Sequence, residues 1–184
     1  MALCDYLIAA DITGYDCAHP MVEGAESMGL LINKADIDSL VLGGFQVVNL
    51  TLKCGGKKAY KVRQLGKTPF EGTQQEMAEG KFANTLTNTV QFVILQHDSI
   101  TAEDVFALAN GEFVAIIPDK MGNYQVYGAE NGLRATGAVR ELYNDDVKSG
   151  WTITMVEENT VMGNLFLSSP TIFDNLQTIT AECE

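Results

Sequence analysis

The order of apolar and polar residues along the chain is typical of short β-strands separated by turns. The apolar runs predict strands at 45–52, 59–65, 89–96, 112–117, 124–127 and 151–157, with weaker strands near Val139 and Leu165. Cys54-Gly55-Gly56-Lys57 supplies a turn between the first two strands, which predicts an antiparallel hairpin. Pro118 to Asn123 predicts a second hairpin loop, between the strands at 112–117 and 124–127.

Helical signals are confined to short segments. Thr101 is a good N-cap, two acids follow it, and Asn110-Gly111 is a typical helix end. A second short helix is predicted from Thr73 to Gly80. Asp36 to Ser39 favours a helix start over a calcium loop, because it lacks that loop's glycine and distal glutamate. The predicted fold class is α+β and β-rich: antiparallel hairpins in a β-sandwich or barrel-like sheet, with one or two short helices.

The length and composition indicate one globular domain. The chain has 184 residues, of which 46% are hydrophobic and 20% charged. We predict a single β-rich domain over residues 1–184, with 1–40 as a candidate N-terminal arm and 171–184 as a C-terminal tail. No export signal or membrane-spanning run is recognised, so no membrane partner is expected. The four cysteines could form two disulfides, but without an export signal free thiols are favoured.

Charge is distributed unevenly along an acidic chain. The net charge is −12, yet residues 53–67 carry six bases and no acid. A nucleic-acid binder depends on many Lys and Arg contacts to phosphate, so tight DNA binding is not expected. A basic hairpin in an acidic body is more typical of an edge that resists aggregation or of a contact with an acidic neighbouring subunit. The candidate subunit-interface residues are Lys57, Lys58, Lys61, Arg63 and Lys67.

Every candidate chemical motif fails on spacing. Gly66-Lys67-Thr68 resembles the end of a phosphate-binding loop, but Lys61 occupies the position where that motif needs a glycine. His97-Asp98-Ser99 contains the residue types of a hydrolase triad, but three sequence neighbours cannot relay a proton in line. The remaining candidate metal ligands lack the paired spacings of a zinc site: Cys4, Asp11, Asp16, Cys17 and His19. We therefore predict no enzyme, catalytic residue, cofactor or metal.

A glycine-containing loop follows the strand at 124–127. It runs from Tyr127 to Leu133 with glycines at 128 and 132, and Gly137 follows. Glycine permits left-handed backbone and close approach by another chain. A plain surface loop explains the same pattern equally well, so both interpretations stay open.

Several segments resemble small structural proteins of tailed bacteriophages that infect gut Bacteroidales, including the crAss-like group. The resemblance is carried by residues 111–117, 124–133 and 150–155, together with Asp16-Cys17-Ala18-His19-Pro20 and residues 33–38. It spans most of the chain. Its motifs are strand-and-turn patterns that transfer no catalytic residue.

The resemblance implies a non-enzymatic virion subunit that forms a ring or tube in the tail or head–tail region. Its expected partners are copies of itself and neighbouring phage structural proteins, and its expected location is the virion, assembled in the cytoplasm of the host bacterium. An acidic subunit repels phosphate and would suit the wall of a DNA conduit. The alternative from another class is a monomeric acidic β-rich module that binds a sugar or a peptide.

Overall fold

A computed structural model describes residues 24–64, 66–79, 84–95, 99–141, 150–163 and 165–178. The strands within these ranges are β1 (Met28–Asn33), β2 (Ile37–Gly43), β3 (Gln46–Leu52), β4 (Tyr60–Arg63), β5 (Gln74–Ala78), β6 (Thr85–Ile94), β7 (Phe113–Pro118), β8 (Tyr124–Tyr127), β9 (Arg134–Glu141), β10 (Gly150–Thr160) and β11 (Leu165–Leu167). The helices are α1 (Ser99–Asn110) and α2 (Pro170–Thr178). The predicted β-rich α+β class is confirmed.

The strands form two sheets. The first sheet has seven strands in the order β2-β3-β11-β8-β7-β1-β4 and curls into a half-barrel. The second has four strands in the order β5-β6-β10-β9. The neighbouring strands are antiparallel except for the pair β3 and β11, which is parallel.

The central strands β1 and β7 are buried on both faces, which explains their nearly continuous apolar sequences. On one face, Leu31 and Ala115 pack against side chains of the four-stranded sheet. On the other face, Leu30 and Ile116 share a core with Phe173 of α2. Burial of one large aliphatic side chain contributes about 1.5–3 kcal/mol. The two clusters therefore hold both the second sheet and α2 on the half-barrel.

The predicted hairpin between 45–52 and 59–65 is wrong. β3 pairs with β2 through a two-residue turn, in which Gly44 has a φ of +69°. β4 pairs with β1 at the other edge of the same sheet. Gly44, at the first position of the Gly44-Phe45 turn, supplies the positive φ that such tight turns require, so β3 forms its hairpin with β2 and not across the Cys54-Gly55-Gly56 turn. The basic strand is consequently the edge of a sheet, with β1 as its partner.

Two predicted helix starts are also wrong. Thr73 to Gly80 contains the strand β5, which pairs with β6 along its whole length. A single 3-10 turn, Lys34–Asp36, is followed at Ile37 by β2. Polar residues such as those of β5 have weak local preferences, and pairing with a neighbouring strand outweighs them.

The other predicted elements agree with the structure. The helix expected near Thr101 is confirmed as α1, which ends as predicted at Asn110. The predicted N-cap is wrong, because the helix begins at Ser99 and its first turn contains no acidic residue. The predicted hairpin loop is confirmed as residues 119–123, which join β7 to β8, and Pro118 is the last residue of β7. The strands confirmed near their predicted positions are β6, β7, β8, β9, β10 and β11.

Both predicted termini contribute to the sheet or its core where the structure describes them. The candidate arm, residues 1–40, contains the central strand β1, and the candidate tail, residues 171–184, contains most of α2. Residues 1–23 and 179–184 lie outside the described residues. α2 begins directly after Ser169, whose hydroxyl accepts a hydrogen bond from the backbone N–H of Thr171 at 3.3 Å. Pro170 then occupies the first helical position, where it is favoured.

The expectation of free thiols is wrong for Cys54, which is disulfide-bonded. Cys4, Cys17 and Cys183 lie outside the described residues. The spacing of cysteines along a sequence does not determine which of them meet in space, so the bond at Cys54 could not be predicted from the spacing.

Candidate functional site

The candidate site lies along β4, at the edge of the seven-stranded sheet. In the described part of the chain, β4 is hydrogen-bonded to β1 and has no strand on its other side. The register pairs Leu30 with Lys61 and Leu31 with Tyr60. Because side chains alternate along a strand, Lys61 and Arg63 lie on the face of Leu30, and Tyr60 lies on the opposite face.

The structure divides the predicted interface residues into two groups. Lys57 forms an ion pair with Asp36, with Nζ and Oδ1 2.9 Å apart. The ammonium of Lys58 lies 5.4 Å from the centroid of the Tyr60 ring, a cation–π contact. The other three are exposed and form no ion pair with any described residue: Lys61, Arg63 and Lys67. These three bases are therefore available to a partner.

A groove of about 1070 Å³, which we call the β4 groove, separates β4 from the second half of β6 and from α1. Its apolar lining includes Phe70, Phe92, Ile94, Leu95 and Leu108, and its charged lining consists of Lys61, Arg63, Lys67, Glu71 and Asp104. Tyr60 and Leu95 also line it and are 48% and 45% exposed. The site combines an open strand edge, an apolar floor on the face of Tyr60 and Val62, and the basic side chains of Lys61 and Arg63 on the other face of the same strand.

Gln64 closes one end of the β4 groove. Its side chain is buried, and its Nε2 donates to the carbonyl of Val93 at 3.1 Å while its Oε1 accepts from the N–H of Val93 at 2.9 Å. β5 pairs with β6 only as far as Thr89. The Gln64 amide therefore satisfies backbone groups of β6 beyond the end of β5, and it fixes β4 relative to the second sheet.

The Asp36–Lys57 pair lies where the two edges of the curled sheet approach each other. Asp36 accepts a hydrogen bond from Asn33 Nδ2 at 2.8 Å in addition to its contact with Lys57. The Asn33 hydrogen bond, followed by the Lys57 contact, holds the pKa of Asp36 below its ordinary value. The same contact raises the pKa of Lys57. This arrangement ties the start of β2 to the segment that leads into β4.

We expect Asp36→Asn to lower the free energy of unfolding at pH 7, with a difference from wild type that shrinks as the pH falls below about 4. Because the folded-state pKa of Asp36 is lowered, its contribution is complete above the unfolded-state pKa and is lost as the pH falls through the folded-state pKa. Urea unfolding of both proteins between pH 3 and pH 7 tests this. Asp38→Asn, at an exposed position, is the control. An Asp36→Asn difference independent of pH would contradict the prediction.

The other motifs found in the sequence lie elsewhere. Gly66-Lys67-Thr68 is in the loop between the strands β4 and β5, whereas a phosphate-binding loop leads from a strand into a helix. Ser99 is the first residue of α1. Within the described ranges, no three His, Cys, Asp or Glu side chains are grouped to hold a metal ion. The remaining candidates lie outside the described residues: Cys4, Asp11, Asp16, Cys17, His19, His97 and Asp98.

The glycine-containing loop is held by a buried carboxylate that the sequence analysis missed. Glu157 of β10 is 2% exposed and accepts hydrogen bonds from the backbone N–H groups of Gly128, Glu130 and Asn131 at 2.8–3.1 Å, and from Asn88 Nδ2 at 2.8 Å. The alternation of β10 was the available signal, because Glu157 shares its parity with the buried Ile153 and Met155.

The close backbone approach expected of this loop occurs within the chain. A Cβ on Gly128 would lie 2.4 Å from the carbonyl oxygen of Phe113. The geometry of the loop therefore has a structural explanation.

Comparison of the chain with protein families, with characterised proteins and with solved structures gave no match. Neither helix in the described part of the chain is long and apolar enough to span a membrane.

Proposed function

We propose that this chain is a non-enzymatic structural subunit of a bacteriophage virion. It assembles with copies of itself into a ring or tube in the tail or head–tail region, next to other phage structural proteins. The observation that carries the proposal is the β4 edge, which is open among the described residues and presents Lys61 and Arg63 with no described ion-pair partner, in an otherwise acidic chain. The resemblance of the sequence to phage structural proteins is the reason for placing this assembly in a virion.

An open strand edge favours assembly because it offers unpaired backbone groups to another chain. With a net charge of −12, the surface that a second copy presents is mostly acidic, so it attracts the basic edge. A contact between two different surfaces of identical subunits generates a ring when the rotation between them closes. The open β4 edge and the attraction between its basic residues and an acidic neighbouring surface therefore both support assembly in a defined orientation.

The acidic body suits a conduit that DNA passes through. A wall that holds phosphate would retard the passage of DNA, and an acidic wall repels it. In this assembly the basic residues at β4 are used in contacts between subunits, and DNA faces the acidic surface.

The alternative function is a monomeric acidic module that binds a sugar or a peptide. The β4 groove is the observation that favours it, because its volume of about 1070 Å³ is at the upper end of typical ligand sites. The oligomeric state separates the two functions, since the alternative requires no assembly.

We expect the purified wild-type protein to form rings or tubes, and the double variant Lys61→Glu/Arg63→Glu to remain monomeric with an unchanged thermal unfolding midpoint. Charge reversal turns the attraction at the contact into repulsion, and both positions are exposed. Negative-stain electron microscopy and sedimentation velocity measure assembly. Lys120→Glu/Arg140→Glu makes the same change in charge at exposed positions away from the β4 groove and is the matched control.

Equal assembly of the wild type and the Lys61→Glu/Arg63→Glu variant would refute the proposed contact. A virion structure in which the β4 edge faces solvent would refute it as well. A wild-type protein that stays monomeric together with purified virion components, and that binds a sugar or a peptide, would establish the alternative.

A further inference from the structure

We infer that the β4 groove accepts an extended segment of a neighbouring polypeptide as an added strand, in which acidic side chains alternate with apolar ones. The inference rests on the proposed function, because assembly places a neighbouring chain beside the groove. It goes further by stating the chemistry of the segment that docks there.

The backbone of β4 sets the mode of binding. β4 bonds to β1 on one side, and its other side carries no strand among the described residues. The backbone groups on that side can pair with an extended peptide, which gains affinity from main-chain hydrogen bonds. Gln64, fixed to Val93, limits the site at the end of β4. A segment of about four to six residues covers the strand at 3.3 Å per residue.

The two faces of β4 determine the pattern of side chains. Lys61 and Arg63 project on one face, and Tyr60 and Val62 on the other. Residues directly opposite each other on paired strands have Cβ atoms about 4.5–5.5 Å apart and interact by charge or apolar contact. An added strand therefore places acidic residues beside Lys61 and Arg63, and apolar residues beside Tyr60 and Val62, in strict alternation.

The floor of the groove favours the apolar half of this pattern. Phe92 and Ile94 line it from β6, and Leu108 lines it from α1. Tyr60 and Leu95 are large side chains left about half exposed at the same place. Apolar side chains of an added strand would cover both and remove that surface from water.

The groove is less suited to a nucleic acid or a lipid. Glu71 and Asp104 are part of its lining and would repel phosphate groups. An acyl chain could cover the apolar floor, but it would leave the backbone groups of β4 unpaired. A peptide uses the strand edge, the bases and the apolar floor together.

The test uses the full-length protein and a fluorescent octapeptide of alternating valine and aspartate, at a protein concentration where sedimentation shows the monomer. Fluorescence anisotropy measures binding. We expect at least tenfold weaker binding for three comparison peptides: one with four valines followed by four aspartates, one of alternating valine and lysine, and one with N-methylated backbone along one edge. The N-methyl groups block strand pairing and leave the side chains intact.

Protein variants complete the test. We expect Lys61→Glu/Arg63→Glu to weaken binding of the alternating peptide at least tenfold, and the matched Lys120→Glu/Arg140→Glu control to leave it within twofold. Hydrogen exchange of the β4 amides should slow when the peptide binds. Equal binding of the alternating and block peptides, or of the N-methylated peptide, would overturn the inference. An unchanged affinity in the Lys61→Glu/Arg63→Glu variant would also overturn it.

The outcomes separate this inference from the proposed function. Rings that depend on Lys61 and Arg63, formed by a protein with no preference for the alternating peptide, refute the inference alone. A preference for that peptide in a protein that never assembles, even with virion components, refutes the proposed function alone.

Discussion

Replacement of Glu157 by glutamine is expected to lower the free energy of unfolding by about 3 kcal/mol. The Glu157 carboxylate accepts four hydrogen bonds in a buried site, two at each oxygen. An amide of the same size turns one acceptor oxygen into an NH₂ group, which then faces two N–H donors. Each buried donor left unsatisfied costs about 1–3 kcal/mol. Urea unfolding monitored by circular dichroism measures the difference, which corresponds to a decrease of roughly 6–12 °C in the unfolding midpoint.

Glu158→Gln is the matched control for this prediction. Glu158 is the next residue of β10, and its side chain is exposed on the other face. The same chemical change there should alter the free energy of unfolding by no more than about 0.5 kcal/mol. Equal effects of the two substitutions would show that the buried hydrogen bonds of Glu157 do not stabilise the loop.

Gly128→Ala is expected to destabilise the fold by about 3–4 kcal/mol, through two separate costs. The φ of Gly128 is +85°, where an alanine is strained, and its Cβ would lie 2.4 Å from the carbonyl oxygen of Phe113. That oxygen accepts the backbone hydrogen bond from Leu133 at 2.8 Å, so relief of the overlap also disturbs this bond. Thermal and urea unfolding measure the loss.

Gly122→Ala separates the two costs. Gly122 has the same φ of +85°, but a Cβ there would meet no atom within 4 Å. We expect this variant to lose only about 1 kcal/mol, the cost of the backbone conformation. If Gly128→Ala lowered the free energy of unfolding no more than Gly122→Ala does, the close contact with the carbonyl oxygen of Phe113 would contribute nothing to the destabilisation.

The parts of the fold that the sequence predicted are those fixed by local signals. β7 and β8 follow from an apolar run, a turn segment and a second apolar run, and the structure confirms all three, with a loop of five residues, 119–123. The end of α1 follows from the glycine after Asn110, whereas its start does not follow from the predicted cap, because Thr101 is the third residue of the helix. α2 was not predicted, because residues 171–184 were assigned to a C-terminal tail, although Ser169-Pro170 is a good start signal.

Pairing between distant strands could not be predicted from local signals. β4 is close to β3 in sequence, yet it pairs with β1, which lies about thirty residues earlier. The curl of the sheet brings its two edges close together near Asp36 and Lys57. Residues 53–59 can therefore connect β3, next to one edge, with β4 at the other edge. That curvature results from the packing of both core clusters, which involves residues from the whole chain.

The candidate site was predictable in its charge and not in its shape. Counting charges along the sequence identified the five basic residues. The structure assigns Lys57 to an ion pair within the chain and adds a groove whose apolar floor comes from β6 and α1, far from β4 in sequence. Such a floor exists only after the two sheets have packed together.

The position of β11 determines how late in synthesis the larger sheet can be completed. This three-residue strand lies between β3 and β8 and is the link through which β2 and β3 join the other strands of the sheet. A ribosome produces residues 165–167 only after the ten other described strands have been made. Until then, β3 and β8 each have an edge to which any exposed strand can pair. The nascent chain therefore remains vulnerable to wrong pairing during most of its translation.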